Sequence, residues 1–321
     1  VVPIDGGVSV PGGGNSEVCL DIEMVLSMAP NISRIYVYEA PNPSPWVDVL
    51  SRMQTDNLSK QLSCSWGGGG VNATAENIFK LMAAQGQSFF NATGDSDAFT
   101  GAIAFPSDST NITQVGGTTL STTGAGGSYV SEVVWNWGLV QGSYVGSSGG
   151  ISTYYKIPNY PAPVNMSSNQ GSTTMRNVPD VALTGDNVYV TYNNGSAAAF
   201  GGTSCAAPLW AGLMALVNQQ AAANGVNSVG FLNPPVYNIG LGPNYTADFH
   251  DITVGNNTWP SSPTKFYATN GYDLCTGWGT PKGNALINAL AGPPAASLQS
   301  NSLALTVEGC GNGAVDPGET V

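Results

Sequence analysis

Apolar and polar positions change period along this chain, and the changes mark out its elements. Behind Ser16, a suitable cap, Leu20, Ile22, Val25, Leu26 and Ala29 return at helical spacing, which predicts a helix beginning at Ser16. Residues 34–39 read as a short buried strand, 47–53 as a helix, 62–66 as a strand ending in four glycines, 73–85 as a helix and 88–90 as the start of another strand. This βαβα rhythm predicts a parallel sheet with right-handed crossovers, whose ligands bind beyond the carboxyl ends of the strands. Two segments fall at such ends: Ser65-Trp66-Gly67-Gly68 and Thr93-Gly94-Asp95-Ser96.

Beyond residue 98 the chain is richer in Gly, Ser and Thr. Residues 113–121 and 129–137 read as short strands, and 145–151 as a Gly-Ser loop. Segments 179–182 and 188–192 then lead, through the turn Asn193-Asn194-Gly195, into Phe200-Gly201-Gly202-Thr203-Ser204-Cys205-Ala206-Ala207-Pro208. Leu209, Leu213, Leu216 and Val217 continue as a buried helix, so a tight glycine loop delivers the Ser204 hydroxyl to a helix N-terminus. Residues 281–291 close the fold as a helix. The domain is expected over 1–292 with a part before Val1, and the polar stretch 293–321 as a linker and the start of a further module.

Charge narrows the function classes. Eight Lys and Arg face twenty Asp and Glu, a formal net charge of −12, which disfavours nucleic acid or an anionic membrane surface as partner. No run of about 20 apolar residues is present to span a membrane. With so few bases, protonating the acids leaves little positive self-repulsion, a composition suited to an acidic medium. Nine sequons, at Asn31, Asn57, Asn72, Asn91, Asn111, Asn165, Asn194, Asn244 and Asn256, point to a secreted, extracellular or lysosome-like setting. Five cysteines are too few for a disulfide scaffold, and the odd count leaves at least one without an internal partner.

Three groups of residues carry candidate chemistry, each with a plain structural reading beside it. Ser204 is either a helix cap or a nucleophile whose own N–H and helix dipole face an oxyanion. Glu17 and Asp21, four apart on a helix, are either a solvated acidic first turn or a coupled carboxylate pair. Asp251 and Asp273 are either ordinary turn caps or, with loop carbonyls, an oxygen-only site of the kind calcium prefers. A serine nucleophile needs a base, and the single histidine, His250, lies in the candidate metal loop rather than ahead of Ser204. If Ser204 reacts, a carboxylate must take its proton, which works best at acid pH.

Glu17-x-x-x-Asp21, Ser65-Trp66-Gly67, Thr93-Gly94-Asp95, Gly202-Thr203-Ser204-x-x-x-Pro208, Asp251-Ile252 and Gly271-Tyr272-Asp273-x-x-Thr276-Gly277-x-Gly279-x-Pro281 together resemble the sedolisins, the serine-carboxyl peptidases, in order and spacing over residues 16–290. The resemblance implies an α/β, subtilisin-like three-layer fold with a central, mostly parallel sheet flanked by helices. It implies an acid endopeptidase or tripeptidyl-peptidase acting on polypeptides. Ser204 resembles the nucleophile, Glu17 its base, Asp21 the carboxylate that orients Glu17, and Asp95 the oxyanion-site acid. Ser65, Trp66, Gly67 and Gly68 would pair with extended substrate. One structural calcium would sit on the Asp251 and Asp273 carboxylates and the carbonyls of Ile252, Thr269 and Gly271. Family domains have further strands before the acidic helix, which makes an excised N-terminal segment a candidate partner. Two other readings stand beside this one. The first is an inactive secreted glycoprotein of the same fold, serving as a binding or structural module. The second is a neutral subtilisin-type enzyme taking its histidine from that segment.

Overall fold

The structure, a computed structural model, describes residues 1–294 apart from 11, 42–44, 159 and 161–163. In chain order, β1 (Val2–Pro3) precedes α1 (Asn15–Met28), β2 (Tyr38–Glu39), α2 (Trp46–Asp56), β3 (Gln61–Cys64), α3 (Ala73–Ala84), β4 (Ser88–Ala92) and β5 (Ser96–Ala98). Next come β6 (Thr113–Thr122), β7 (Tyr129–Val134), β8 (Asn136–Val140), β9 (Ser143–Lys156), β10 (Met175–Val178), β11 (Val181–Thr184) and the hairpin of β12 (Val188–Tyr192) and β13 (Ser196–Phe200). The long helix α4 (Thr203–Ala223) is followed by α5 (Asn233–Gly240), α6 (Tyr245–Asp248), β14 (Phe249–His250), β15 (Thr280–Pro281) and α7 (Asn284–Ala291).

The central sheet runs β11-β6-β4-β3, every pair in that order parallel, with β7 added antiparallel to β6. Side chains on a strand alternate between faces, and adjacent Phe89 and Phe90 show what that does here. Phe89, with Leu62 and Ile112, packs on Ile78, Phe79 and Met82 of α3 and Leu50 of α2. Phe90, with Val115 and Val181, packs on Trp210, Leu213 and Met214 of α4. The result is the three-layer arrangement expected from the sequence.

α4 is the hub. Every residue from Cys205 to Met214 is buried, because the sheet covers one side while α1 and α7 cover the others. Where α1 crosses, Gly212 leaves no room for a side chain: a Cβ there would sit 2.8 Å from Met28 Cβ. A helix buried on all sides carries no single apolar stripe, so the spacing of Leu209, Leu213 and Leu216 captured only part of its buried surface.

Several local expectations are corrected. Of residues 34–39 only Tyr38 and Glu39 form a strand, a half-buried one paired with Val2 and Pro3. α1 is capped at Gly14, which places Ser16 inside the helix. Residues 129–137 form two strands, β7 and β8, rather than one, and α7 starts at Asn284 because Thr280 and Pro281 pair with β14. Residues 145–151, read as a loop, lie in the middle of the fourteen-residue β9. Its glycines let neighbouring backbone approach closely: a Cβ at Gly149 would stand 1.9 Å from Leu274 O, and one at Gly146 2.2 Å from Asp97 Oδ1. Asn91 is fully buried in β4, its Nδ2 donating to Gln114 Oε1, so that sequon carries no glycan in the folded chain. The expected linker and terminal module fall, from residue 295, outside the described residues.

Candidate active site

One turn of α1 separates Glu17 from Asp21, and α1 lies against α4, so both carboxyls come to the start of the Ser204 helix. Asp21 Oδ1 contacts Ser65 Oγ at 2.6 Å, and the same Oγ reaches Ser204 O at 3.4 Å. That carbonyl is available because Pro208, four residues on, has no N–H to bond it. Ser65 has one hydroxyl proton, so it satisfies both oxygens together only when Asp21 is protonated and donates to it.

Asp95 arrives from the other side, in the turn between β4 and β5. Its Oδ1 accepts from Thr203 N at 2.8 Å and Thr203 Oγ1 at 2.9 Å, while Thr203 Oγ1 accepts from Gly94 N at 3.0 Å. Oδ2 faces Gly202, 3.1 Å from where a Cβ would stand. The missing side chain leaves space between this carboxyl oxygen and Ser204.

All three acids are held toward their neutral forms. Burial raises Glu17, opposed by a hydrogen bond with the Ser204 side chain and assisted by the charge of Asp95. Glu17 Oε1 itself is buried without a hydrogen-bond partner of good geometry. Burial pushes Asp21 up to about 8, against the Ser65 hydrogen bond and with the charge of Glu17. Burial raises Asp95 too, against its two bonds from Thr203. The thiols beside them are driven the same way. Burial, with Asp95, Glu17 and Asp21 nearby, raises Cys205, and burial pushes Cys64 up to about 12. Neither can supply a thiolate nucleophile. Cys19, Cys64, Cys205 and Cys275 are all free.

His250 is held away on β14, its ring stacked on Tyr129 at 3.9 Å and 7°, with burial and then Lys282 lowering its pKa. Of the other sequence candidates, Ser65 joins the acids directly. Trp66 lies half-exposed over Gly14, where a Cβ would meet its ring at 2.9 Å. Gly67 and Gly68 sit beside Phe105, and Gly68 N already donates to Phe105 O at 2.7 Å. Two participants have no signature in the sequence alone: Thr203 as the anchor of Asp95, and Pro208 as the residue that frees a carbonyl. Asp97 is fully buried with both carboxyl oxygens unpartnered, and burial pushes it up to about 6.

A raised carboxyl pKa means that the folded chain holds protons the unfolded chain releases near pH 4. The stability this gives is complete below that pH and is lost as pH rises through about 6 for Asp97 and about 8 for Asp21. The melting temperature is therefore expected to fall steadily from pH 4 to pH 8, and Asp97→Asn to flatten the part between 4 and 6. Differential scanning calorimetry across that range measures both, and a profile that rises toward neutrality would contradict them.

A second cluster lies at the loop before β15. Asp251 Oδ1 and Oδ2 accept from Gly271 N at 3.2 and 3.0 Å, and Tyr245 OH donates to Asp251 Oδ1 at 3.0 Å. Asp273 is fully buried, with Oδ2 accepting from Thr269 N at 2.9 Å and Oδ1 from Cys275 N and Thr276 N at 2.8 Å each. Burial pushes it up to about 7, against those three backbone bonds. Thr269 Oγ1 is buried without a partner. The donor set is all oxygen and suits a hard cation. Among the described residues no group of three or more His, Cys, Asp or Glu gathers to hold a metal, so such an ion would depend on two carboxylates and loop carbonyls.

The architecture and the Ser204 loop define a class. The chain belongs to the subtilase family, whose model matches residues 28–231, a span that takes in Asp95 and Ser204 and starts after the acid pair. Within that class it is a sedolisin-type chain. It is 35% identical to kumamolisin of Bacillus sp. (strain MN-32) over 93% of this chain and 55% of that protein. It is 34% identical to sedolisin of Pseudomonas sp. (strain 101) over 70% of this chain and 40% of that protein. Tripeptidyl-peptidase 1 of Canis lupus familiaris matches at 27% identity over 88% of this chain and 53% of that protein. The solved structure of Pseudomonas sedolisin, a serine-carboxyl proteinase complexed with two molecules of pseudo-iodotyrostatin, superposes with a TM-score of 0.74 at 28% identity, covering 89% of this chain and 82% of that one. The chain thus spans about half the length of the curated relatives it matches. No helix among the described residues is long and apolar enough to cross a membrane.

Proposed function

We propose that this chain is the catalytic part of a serine-carboxyl peptidase that cleaves polypeptides at acid pH. The observation that carries the reading is the gathering of Glu17, Asp21 and Asp95 around the start of the Ser204 helix, Asp21 through Ser65 and Asp95 through Thr203, with the only histidine stacked on Tyr129. Ionised Glu17 takes the Ser204 proton as Oγ attacks the peptide carbonyl, and Asp21, sharing protons with Glu17, holds it in place. Negative charge then develops on the carbonyl oxygen. Protonated Asp95 donates to it from Oδ2 across the space beside Gly202, with the Ser204 N–H and the α4 dipole adding to the stabilisation. Glu17 returns its proton to the leaving amine, and water releases the acyl group by the reverse route.

A peptide aldehyde tests this. At pH 4 it is expected to form a hemiacetal on Ser204, detected by loss of activity and by a structure of the adduct. Failure to label, with the fold intact, would favour the inactive binding module. Product analysis on a long unstructured peptide separates endopeptidase from tripeptidyl cleavage. In this reading Ser65, Trp66 and Gly67 flank extended substrate, and the enzyme works outside the cell or in an acidic compartment.

We also propose that the second cluster holds one calcium ion, on Asp251, Asp273 and the carbonyls of Ile252, Thr269 and Gly271. When bound, the ion supplies charge that keeps both carboxylates ionised and ties the loop together. A ligand that binds only the folded state adds about 2.7 kcal/mol at a hundredfold excess over its Kd. Chelation is therefore expected to lower the melting temperature by several degrees, and calcium but not magnesium to restore it. Identical melting curves with and without chelator would remove the ion from this account.

A further inference from the structure

Against the loop that leads to Ser204 packs an indole that is both open and rigid. Trp137, on β8, is 43% exposed, yet it is pinned on three sides. Its ring meets the fully buried Trp135 edge to face, with centroids 5.4 Å apart. Its Nε1–H donates to Asp186 Oδ1 at 2.9 Å, and Asp186 Oδ2 is itself taken by Thr119 Oγ1 at 2.8 Å. Its six-membered ring lies on the backbone of Gly201, where a Cβ would come within 2.4 Å of Cζ2 and Cη2. Gly201 stands three residues before Ser204. Trp66, 49% exposed, lies in the same way on Gly14, three residues before Glu17. Each reacting segment thus begins beneath a half-exposed indole. Two residues along β8, Leu139 is 61% exposed and adds apolar surface to the same strand.

The chemistry of this face is narrow. The one polar atom of the indole is already committed to Asp186, so the ring offers no free hydrogen bond to a ligand. What remains is a flat, preorganised apolar surface, whose affinity comes from dispersion and from shedding water, with little ordering cost. Building on the reading of Ser204 as the nucleophile of a peptidase, we propose that the exposed face of Trp137, together with Leu139 of the same strand, forms a subsite wall that receives a bulky apolar side chain of the polypeptide, making Trp137 a specificity-determining residue.

Binding measured without turnover tests it. The Ser204→Ala chain is titrated calorimetrically at pH 4 with alanine-rich octapeptides, each carrying one Leu, Phe or Lys at a different position. At one position Leu or Phe is expected to tighten Kd by about tenfold over Ala, the low end of what an apolar pocket discriminates. Adding Trp137→Ala should erase that preference, and Trp137→Phe should keep part of it. Leu139→Ser, which leaves the indole and its anchors in place, should reduce it. A preference that survives Trp137→Ala overturns the proposal. So does a position that prefers Lys, or an equal weakening of every peptide including the all-alanine one. Hydrolysis by the unsubstituted chain is followed in parallel: its absence tells against the peptidase reading, while the leucine preference is still read from binding.

Discussion

Ser204→Ala is expected to lower peptide hydrolysis at acid pH by roughly 10⁶-fold, the loss that follows removal of the nucleophile from a serine peptidase. In the proposed reading the Ser204 hydroxyl is the attacking group, since burial beside carboxylates keeps the neighbouring thiols of Cys64 and Cys205 protonated. Glu17→Gln keeps the shape but cannot take the proton, and should cost about 10²- to 10⁴-fold. Neither change should move the melting temperature by more than a few degrees. Activity is also expected to follow a bell in pH. Glu17 must be ionised, which sets the rising limb, and Asp95 must keep its proton, which sets the falling one. Steady-state rates between pH 2 and 7 measure this, and full activity in either variant would end the assignment.

The largest effect on stability is expected at Arg176. Its Nη1 and Nη2 donate to Asp180 Oδ1 and Oδ2 at 2.7 and 2.6 Å, with both side chains essentially inaccessible. Tyr237 OH at 2.7 Å and Gln114 N at 2.8 Å complete the cage around Asp180. The pair ties β10, which pairs antiparallel with β9, to β6 of the central sheet and to α5. Replacing Arg176 with Met strands a buried carboxylate, which costs about 3–5 kcal/mol and lowers the melting temperature by roughly 10 °C. Arg176→Met with Asp180→Asn should recover part of that loss. No recovery in the double variant would show that packing, rather than charge, is what Arg176 provides.

Much of the site could be read from short-range pattern. The Glu17 and Asp21 spacing fixes a shared helix face, and Gly201-Gly202-Thr203-Ser204 fixes a loop ahead of a helix, since both depend on residues within one or two turns. The parallel sheet followed from strands and helices alternating up to residue 92, and the three layers from the family resemblance. What stayed hidden depends on contacts across the fold. β9 reads as a loop because glycine and serine disfavour strands in isolation, and only the approach of Leu274 and Asp97 makes their small size necessary. Asp97 and Trp137 look unremarkable in one dimension, and their roles arise from what the packed sheets place against them. Pro208 was visible as a residue but not as the reason Ser204 keeps a free carbonyl.

The coat around α4 bears on how the chain reaches this state. One cover, α1, ends about 175 residues before it and another, α7, starts about 60 after, so a ribosome exposes this fully enclosed helix long before its last neighbour exists. Folding of this domain must then be completed after α7 emerges. During that interval the nascent chain depends on chaperones, or on speed, to keep residues 205–214 from finding partners in other molecules.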